Sequence, residues 1–364
     1  MRLLPEARPA YSFRKEDPVK TVYFTDCSAV EQNALQSLLA FEHQPTIGRI
    51  AVFPDIHYCS ERSIPVGVAF QTTDVFYPLV TGKDMGCGVA YLRIPRAEVL
   101  RPFDKARHYR ALEREVHRMT DEGLGGGNHF LSLEESADYL YVIVHTGSRN
   151  LGVYMYQQNR QLLQQHNPGQ EWLPLDVATP AYRQEYERVL KYAADRRREF
   201  LAKTYDFLRR NQYVAVGRPV VADSCHNLLE FMPQGVIHRK GSTQMPSDGE
   251  VVIPLSMSRG SLIVRANPWH SAAEAALWSC AHGAGRQLSR TDTLKFWHSL
   301  KKAEKDTYRQ RFPELLNRQG DFDSSILQEF DFAYKDSAEL LATQPHLIRC
   351  DETTPLVTVK FTGV

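Results

Sequence analysis

Side chains able to do chemistry gather in a few short strings of this sequence, mostly rich in glycine: GKDMGCGVA (82–90), GLGGGNHF (123–130), VHTGSRNLG (144–152), DSCHNLLE (223–230) and AHGAGRQLSR (281–290). Glycine lets a backbone approach a ligand closely, and loops at strand ends are where functional groups concentrate. Of the 13 histidines, His129, His145, His226 and His282 have a Gly, Asn or Ser setting close to an apolar run. His43, His108, His117, His166, His298 and His346 lack such surroundings and read as core or surface residues. Four histidines in such settings are harder to explain by packing than any one alone.

Asp84 and Cys87 stand three apart with glycine at 82, 86 and 88, so one turn can aim a carboxylate and a thiolate at the same point. Cys87 alone reads more readily as a small buried residue in a tight turn. With imidazoles nearby, the mixed O, N and S donor set suits Mn²⁺, Zn²⁺ or Co²⁺ better than Ca²⁺ or Mg²⁺, and a thiolate can bridge two cations. The string HGAG ahead of RQLSR predicts a tight turn feeding a helix, where backbone N–H groups attract phosphate. There Arg286 and Arg290 would lie one helical turn apart and hold phosphate oxygens on one face, with His282 placed to attack or receive a phosphoryl group.

The elements that must position these strings are strands and helices without a regular βαβ rhythm, which favours an α+β fold and a single domain over 1–364. Strands are expected at IGRIAVF (47–53), VGVAFQT, VFYPLVTG, GVAYLRI, YLYVIVH, YVAVGRPVVA, VVIPL, SLIVRA and LVTVKFTG. Apolar spacing predicts helices from Ser28, a possible cap, to about Ala40, and over 104–119, 181–210, 271–280 and 299–316. HNPGQEWLPLDVATP (166–180) is a proline-containing connection. The helix over 181–210 carries Arg196, Arg197, Arg198, Lys203, Arg209 and Arg210, open equally to RNA phosphates or to a solvated face balanced by Glu185, Glu187 and Glu199.

With 43% hydrophobic residues in 364, the chain can bury a large core. Its 44 basic and 43 acidic residues leave a formal charge of +1, so any nucleic-acid site must be a local patch. Six scattered cysteines without a CxxC pair favour reduced thiols, and no apolar run reaches signal or membrane-spanning length. A soluble cytoplasmic protein is expected.

Taken together, the strings resemble the RtcB family of RNA-splicing ligases in order and approximate spacing, over roughly residues 47–360. PDIH (54–57), GKDMGCGV, GGGNHF, HTGSRNLG, CHN, HRKGST (238–243), IPLSM, HGAGRQLSR, AYKD (333–336) and VTVK (357–360) carry the resemblance. It implies a single large α+β domain with mixed sheets around a two-metal site. Cys87 would bridge two Mn²⁺ ions, with Asp84 and His129 on one and His145 and His226 on the other. Asn128 would contact the nucleotide phosphate beside the turn of Gly283, Ala284, Gly285 and Arg286. Ser256, Met257, Tyr334 and Lys360 lie where the family encloses guanine, and Arg149, Lys240 and Arg290 are candidates for RNA or phosphate contacts.

The implied reaction uses GTP: His282 takes GMP, passes it to an RNA 3′-phosphate, and a 5′-hydroxyl then attacks that activated end. Members of the family can also first open a 2′,3′-cyclic phosphate. Leu255 replaces a glycine of the family pattern, YCSERS after PDIH lacks its glycine-rich stretch, and Ser132 stands in place of a glutamate that reads guanine. Relaxed discrimination against ATP is therefore expected, with Glu134 or Glu135 near enough to reach in and Lys360 still able to meet guanine O6. These departures and the short chain resemble a bacterial branch found beside a peptide-release-factor homologue, which implies repair of cleaved tRNA or rRNA and that homologue as a functional partner. A two-metal phosphodiesterase for cyclic phosphates, or a non-catalytic RNA-binding relative, are the competing readings.

Overall fold

The computed structural model describes residues 20–59 and 64–360, so part of YCSERS and the last four residues lie outside it. In chain order the strands are β1 (Lys20–Tyr23), β2 (Arg49–His57), β3 (Val66–Thr72), β4 (Val75–Phe76), β5 (Gly88–Pro95), β6 (Phe130–Glu135), β7 (Tyr139–Thr146), β8 (Leu173–Pro174) and β9 (Val220–Cys225). They continue with β10 (Asn227–Met232), β11 (Gly235–Lys240), β12 (Ser242–Gln244), β13 (Glu250–Ser256), β14 (Gly260–Ala266), β15 (Ser279–Ala281), β16 (Leu347–Glu352) and β17 (Thr354–Lys360). The helices are α1 (Gln32–Glu42), α2 (Lys105–Arg118), α3 (Asn150–His166), α4 (Pro180–Arg210), α5 (Ala272–Ala275), α6 (Arg290–Ser299), α7 (Lys302–Arg311), α8 (Ser324–Leu327) and α9 (Ser337–Ala342). None of the described helices is long and apolar enough to cross a membrane.

Two five-stranded sheets dominate this α+β architecture, one in the order β1-β2-β3-β11-β10 and one in the order β17-β6-β7-β5-β9. A three-stranded sheet, β13-β14-β16, packs against both. Burial explains the strand sequences: β2, β3, β5 and β7 are apolar on both faces because each is covered on both sides. Helix α4 is amphipathic over its whole length and serves two cores. Tyr182, Tyr186 and Val189 enter the cluster that holds Val68, Phe70 and Phe76, whereas Phe200, Leu201, Phe207 and Leu208 enter the cluster that holds Leu131, Val142 and Val144. Between these two stretches α4 turns Arg196 and Arg197 inward, and both are buried.

Several expectations need correction. The segment over 271–280 is helical only at Ala272–Ala275; Leu277 and Trp278 then take φ of +51° each and the chain enters β15. Arg239, fully buried and paired with Glu230, donates to the Leu277 carbonyl and Ser279 Oγ and so holds this unfavourable turn. The region over 299–316 is helical at Lys302–Arg311, followed by a 3-10 turn at Pro313–Leu315. α1 starts at Gln32, because Cys27–Ala29 forms its own 3-10 turn capped by Asp26. Only Val75–Phe76 of VFYPLVTG and only the end of YVAVGRPVVA are extended. α3 was not expected, since the glycine of RNLG masks its start, and β6, β10, β11 and β16 were also missed.

α4 ends in two reciprocal bonds, Tyr213 N–H to Leu208 O and Gln212 N–H to Arg209 O, with Gln212 between them at φ +57°. This is the helix stop that glycine serves best, and here an exposed glutamine occupies it. Replacing Gln212 with glycine is expected to stabilise the fold by about 1 kcal/mol, read as a higher urea midpoint at unchanged slope. A lower midpoint would show that the left-handed residue is not strained.

Candidate active site

Cys87, His129, His145 and His226 converge where β5, β7 and β9 end. Cys87 Sγ lies 3.3 Å from His129 Nε2 and 3.2 Å from His145 Nε2, and His145 Nε2 lies 3.3 Å from His226 Nε2. Asp84 Oδ1 stands 3.7 Å from His129 Nε2. Two overlapping groups able to hold a metal result, one of Asp84, Cys87 and His129 and the other of Cys87, His145 and His226. All five residues expected from the sequence are thus brought together.

The register of the second sheet explains this convergence. Gly88 of β5 pairs with Thr146 of β7 on one side and with Cys225 of β9 on the other, so the neighbours Cys87, His145 and His226 meet at one sheet end. A Cβ at Gly88 would lie 2.1 Å from the Ser224 carbonyl oxygen, so no other residue permits this pairing. His226 N–H donates to the Cys87 carbonyl, Gly86 N–H to the Asn227 carbonyl and Asn227 Nδ2 to the Asp84 carbonyl, which tie the Asp84 turn to β10. Behind the cluster Arg197 pairs with Asp223 and donates to the carbonyls of Gly86 and Thr146. Arg196 donates to the carbonyl of Gly123. Neither sequence reading of α4 holds for these two arginines, which brace the loops from inside. The remaining basic residues of its face follow the solvated reading, as with Lys203 on Glu199 and Arg209 on Asp206.

The electrostatics fit a cation. Burial pushes the His145 and His226 pKa values well down, and neighbouring histidines add to this, so both imidazoles are neutral and keep lone pairs for donation. His129 is lowered mainly by burial as well. His145 Nδ1 donates to the Asn128 carbonyl at 3.0 Å, which turns its Nε2 lone pair toward Cys87. Burial and Asp84 push the Cys87 thiol well up. A bound divalent ion would supply the positive charge that a buried thiolate requires.

His282 sits beside this cluster, its ring 4.9 Å from that of His226. It is braced by Asp55, a residue not singled out among the sequence candidates although PDIH carried it. The buried Asp55 Oδ2 lies 2.5 Å from His282 Nδ1 and accepts from the backbone N–H groups of His282 and Gly283. Gly285, at φ +75°, lets the turn press on β2, since a Cβ there would lie 2.7 Å from Asp55 Cα.

A cleft of about 380 Å³ opens from His282, a size that suits a nucleotide. Asn128, Ser256, Met257, Gly283, Ala284, Gly285, Arg286, Arg290, Tyr334 and Lys360 all line it. The expected helix directly after HGAG is absent: Ser289 caps α6, which begins only at Arg290. Arg286 instead bridges to Tyr334, donates to the Leu288 and Gln328 carbonyls and to Thr293 Oγ1, and stacks over the Tyr334 ring at 5.1 Å. It builds the cleft wall from a different element than Arg290. Lys240 is buried and donates to the Ile64 carbonyl, away from the cleft lining. Arg149 lies against His129, and φ of +52° at this non-glycine residue marks strain beside the cluster. Ser132 hydrogen-bonds Glu134, which does line the cleft. Glu329 also lines it and was missed, because a lone glutamate in LQEFDF carries no local signal.

Burial by itself would push the His282 pKa down, but the Asp55 charge outweighs this and raises it, aided by the Gly241 carbonyl. A raised folded-state pKa means that the His282 proton stabilises the fold below the ordinary histidine value, and that this contribution is lost as pH rises through the raised value. In metal-free protein, Asp55→Asn is expected to move the His282 titration downward and to remove that low-pH contribution, read by ring-proton NMR and by urea midpoints across pH. An unchanged titration would show that Asp55 does not set the His282 proton.

Comparison with known proteins agrees with this geometry. The family model described as tRNA-splicing ligase RtcB matches residues 96–361. The chain is 30% identical to the RNA-splicing ligase RtcB2 of Escherichia coli strain ATCC 25922, over 76% of this chain and 79% of that protein. It is 25% identical to the RNA-splicing ligase RtcB of Escherichia coli K12, over 91% and 94%. It is 26% identical to the tRNA-splicing ligase RtcB of Nanoarchaeum equitans, over 60% and 54%. With its metal-type cluster, braced histidine and adjoining cleft in one place, and with this extent of match, the chain belongs to the RtcB family.

Proposed function

We propose that the protein is a GTP- and Mn²⁺-dependent RNA ligase that joins an RNA 3′-phosphate, or a 2′,3′-cyclic phosphate once opened, to a 5′-hydroxyl through a guanylylated His282. The observation that carries this reading is the placement of His282: braced on Nδ1 by Asp55, beside the Cys87 cluster, at the mouth of the nucleotide-sized cleft. A phosphodiesterase for cyclic phosphates would use the cluster alone and has no need of a braced histidine.

With Nδ1 facing Asp55, the nucleophile is Nε2. Its lone pair attacks the α-phosphorus of GTP, the N–P bond forms, and the bond to pyrophosphate breaks. The positive charge then left on the ring is offset by the buried Asp55 carboxylate. An oxygen of the RNA 3′-phosphate next attacks the same phosphorus and the N–P bond breaks. Finally the 5′-hydroxyl oxygen attacks the 3′-phosphate phosphorus, loses its proton and displaces GMP. Asp84, Cys87, His129, His145 and His226 would hold two divalent ions, which when bound offset charge on attacking and leaving oxygens. Arg149, Arg290 and, after rearrangement, Lys240 are the candidates for phosphate contacts. A role in repair of cleaved tRNA or rRNA, and a link to a release-factor homologue, have support only from the resemblance.

Incubation with α-labelled GTP and Mn²⁺, followed by denaturing electrophoresis, is expected to leave an acid-labile label on wild type and none on His282→Ala. Label retained by His282→Ala, or joining of only 3′-hydroxyl to 5′-phosphate ends, would overturn the mechanism. Metal is tested separately: Cys87→Ser should lower bound Mn²⁺ and remove the thiolate charge-transfer band of the Co²⁺ form. Full activity in Mg²⁺ alone, with no Mn²⁺ retained after dialysis, contradicts the assignment.

A further inference from the structure

The base end of the cleft is where this chain departs from the pattern it resembles. Ser132 is too short to read a base and spends its hydroxyl on Glu134. Glu134, two residues on along the same strand face, would be the obvious substitute. Its Oε1 takes the hydroxyls of Ser132 and Ser261, and its Oε2 takes that of Thr353. Three neutral donors thus occupy both oxygens of a fully buried carboxyl group, whose pKa is raised by that burial.

Glu329 is differently placed. Its Oε2 accepts from Tyr334, whereas its Oε1 lies 2.8 Å from Lys360 Nζ and 3.6 Å from Arg290 Nη1. Oε1 is thus held by the Lys360 ammonium and, as a carboxylate oxygen, keeps one further acceptor site. Its backbone carbonyl accepts from Met257 N–H, which fixes the loop against the cleft. An ammonium and a carboxylate with spare acceptor capacity therefore stand side by side on the lining, next to the Tyr334 ring.

We propose that Glu329 and Lys360 read the base as a pair, Lys360 Nζ donating to guanine O6 and Glu329 Oε1 accepting from guanine N1–H, so that the loop before Tyr334 supplies the carboxylate absent at Ser132. Guanine offers an acceptor and a donor side by side in this order. Adenine offers the reverse, so its amino group faces the ammonium and its N1 lone pair faces the carboxylate. Each charged group then meets a base edge of the wrong polarity, and a polar site rejects such an analogue strongly. The relaxed nucleotide choice expected from Ser132 alone does not follow.

The inference rests on the His282 nucleotidylation proposed above, and the test separates the two. Wild-type protein is offered GTP, ITP, N1-methyl-GTP and ATP in competition for adduct formation. GTP should be preferred over ATP by about a hundredfold or more, ITP should stay within about tenfold of GTP because it keeps O6 and N1–H, and N1-methyl-GTP should be rejected by at least about tenfold. E329Q should shrink the GTP to ATP ratio by about tenfold to a hundredfold, and E134Q should leave it in place. Equal use of ATP, or of N1-methyl-GTP, by wild type overturns the proposal without any variant, which matters if E329Q does not fold. So does a ratio that collapses in E134Q and survives in E329Q. If no nucleotide forms an adduct, the ligase reading fails, and calorimetric binding of GDP against ADP still decides the base pair of contacts: equal affinity refutes it, a preference of about a hundredfold supports it.

Discussion

The pairing of Gly88 with Thr146 on one flank and Cys225 on the other is the constraint on which the rest of the site depends. It sets three strand ends level, and a slip of one residue would turn Cys87, His145 or His226 to the opposite sheet face. Because side chains alternate along strands, the ligand set is a property of register before it is a property of any loop. The helices then serve that register. α4 lies across β5 and β7 with Ala193 and Arg197 against the Gly86 turn, and its two apolar stretches lock it into the cores on either side.

Charge is buried behind the site in a manner that limits its cost. Arg197 and Arg239 are both almost fully buried, each paired with one carboxylate and each donating to backbone or hydroxyl oxygens as well. A buried ion pair with its remaining donors satisfied adds little net stability, but removing one partner leaves an uncompensated charge. Such pairs therefore enforce geometry. Arg197 fixes the carbonyls beside Cys87 and His145, and Arg239 fixes the strained Leu277–Trp278 turn that delivers β15, and through it His282, to Asp55.

Much of the site was legible in the sequence because its residues carry unusual local signals. Asp84, Cys87, His129, His145 and His282 stand among glycines and His226 between Ser224 and Asn227, and such strings are visible without knowing which strands pair. Asp55 and Glu329 were not legible in this way. A carboxylate at a strand end and another in an amphipathic segment are common, and what distinguishes these two is burial against His282 and Lys360, hundreds of residues away or on another element. α4 was read to within a residue since its apolar period runs for eight turns, but the two arginines on its inward side looked like surface charge. Period alone cannot say that a buried Asp223 waits opposite. The helix expected after HGAG failed for a local reason: Ser289 is a better cap than anything ahead of it, so the chain between His282 and Ser289 stays irregular and is free to bridge Tyr334.

The site also draws on nearly the full described length of the chain. Asp55 comes from β2, Cys87 from the start of β5, Glu329 from the segment after α8, and Lys360 from the end of β17, which completes the second sheet by pairing with Phe130 beside His129. Contacts of such sequence separation are costly to form, because each must first overcome loop-closure entropy. The cluster of Cys87 with its histidines draws on β6, β7, β5 and the edge strand β9, whereas the base end of the cleft needs β17 at the opposite edge. Metal-type and nucleotide-type chemistry therefore depend on different strands of the same fold, and His282, held by β15 and Asp55 between them, is where those two dependences meet.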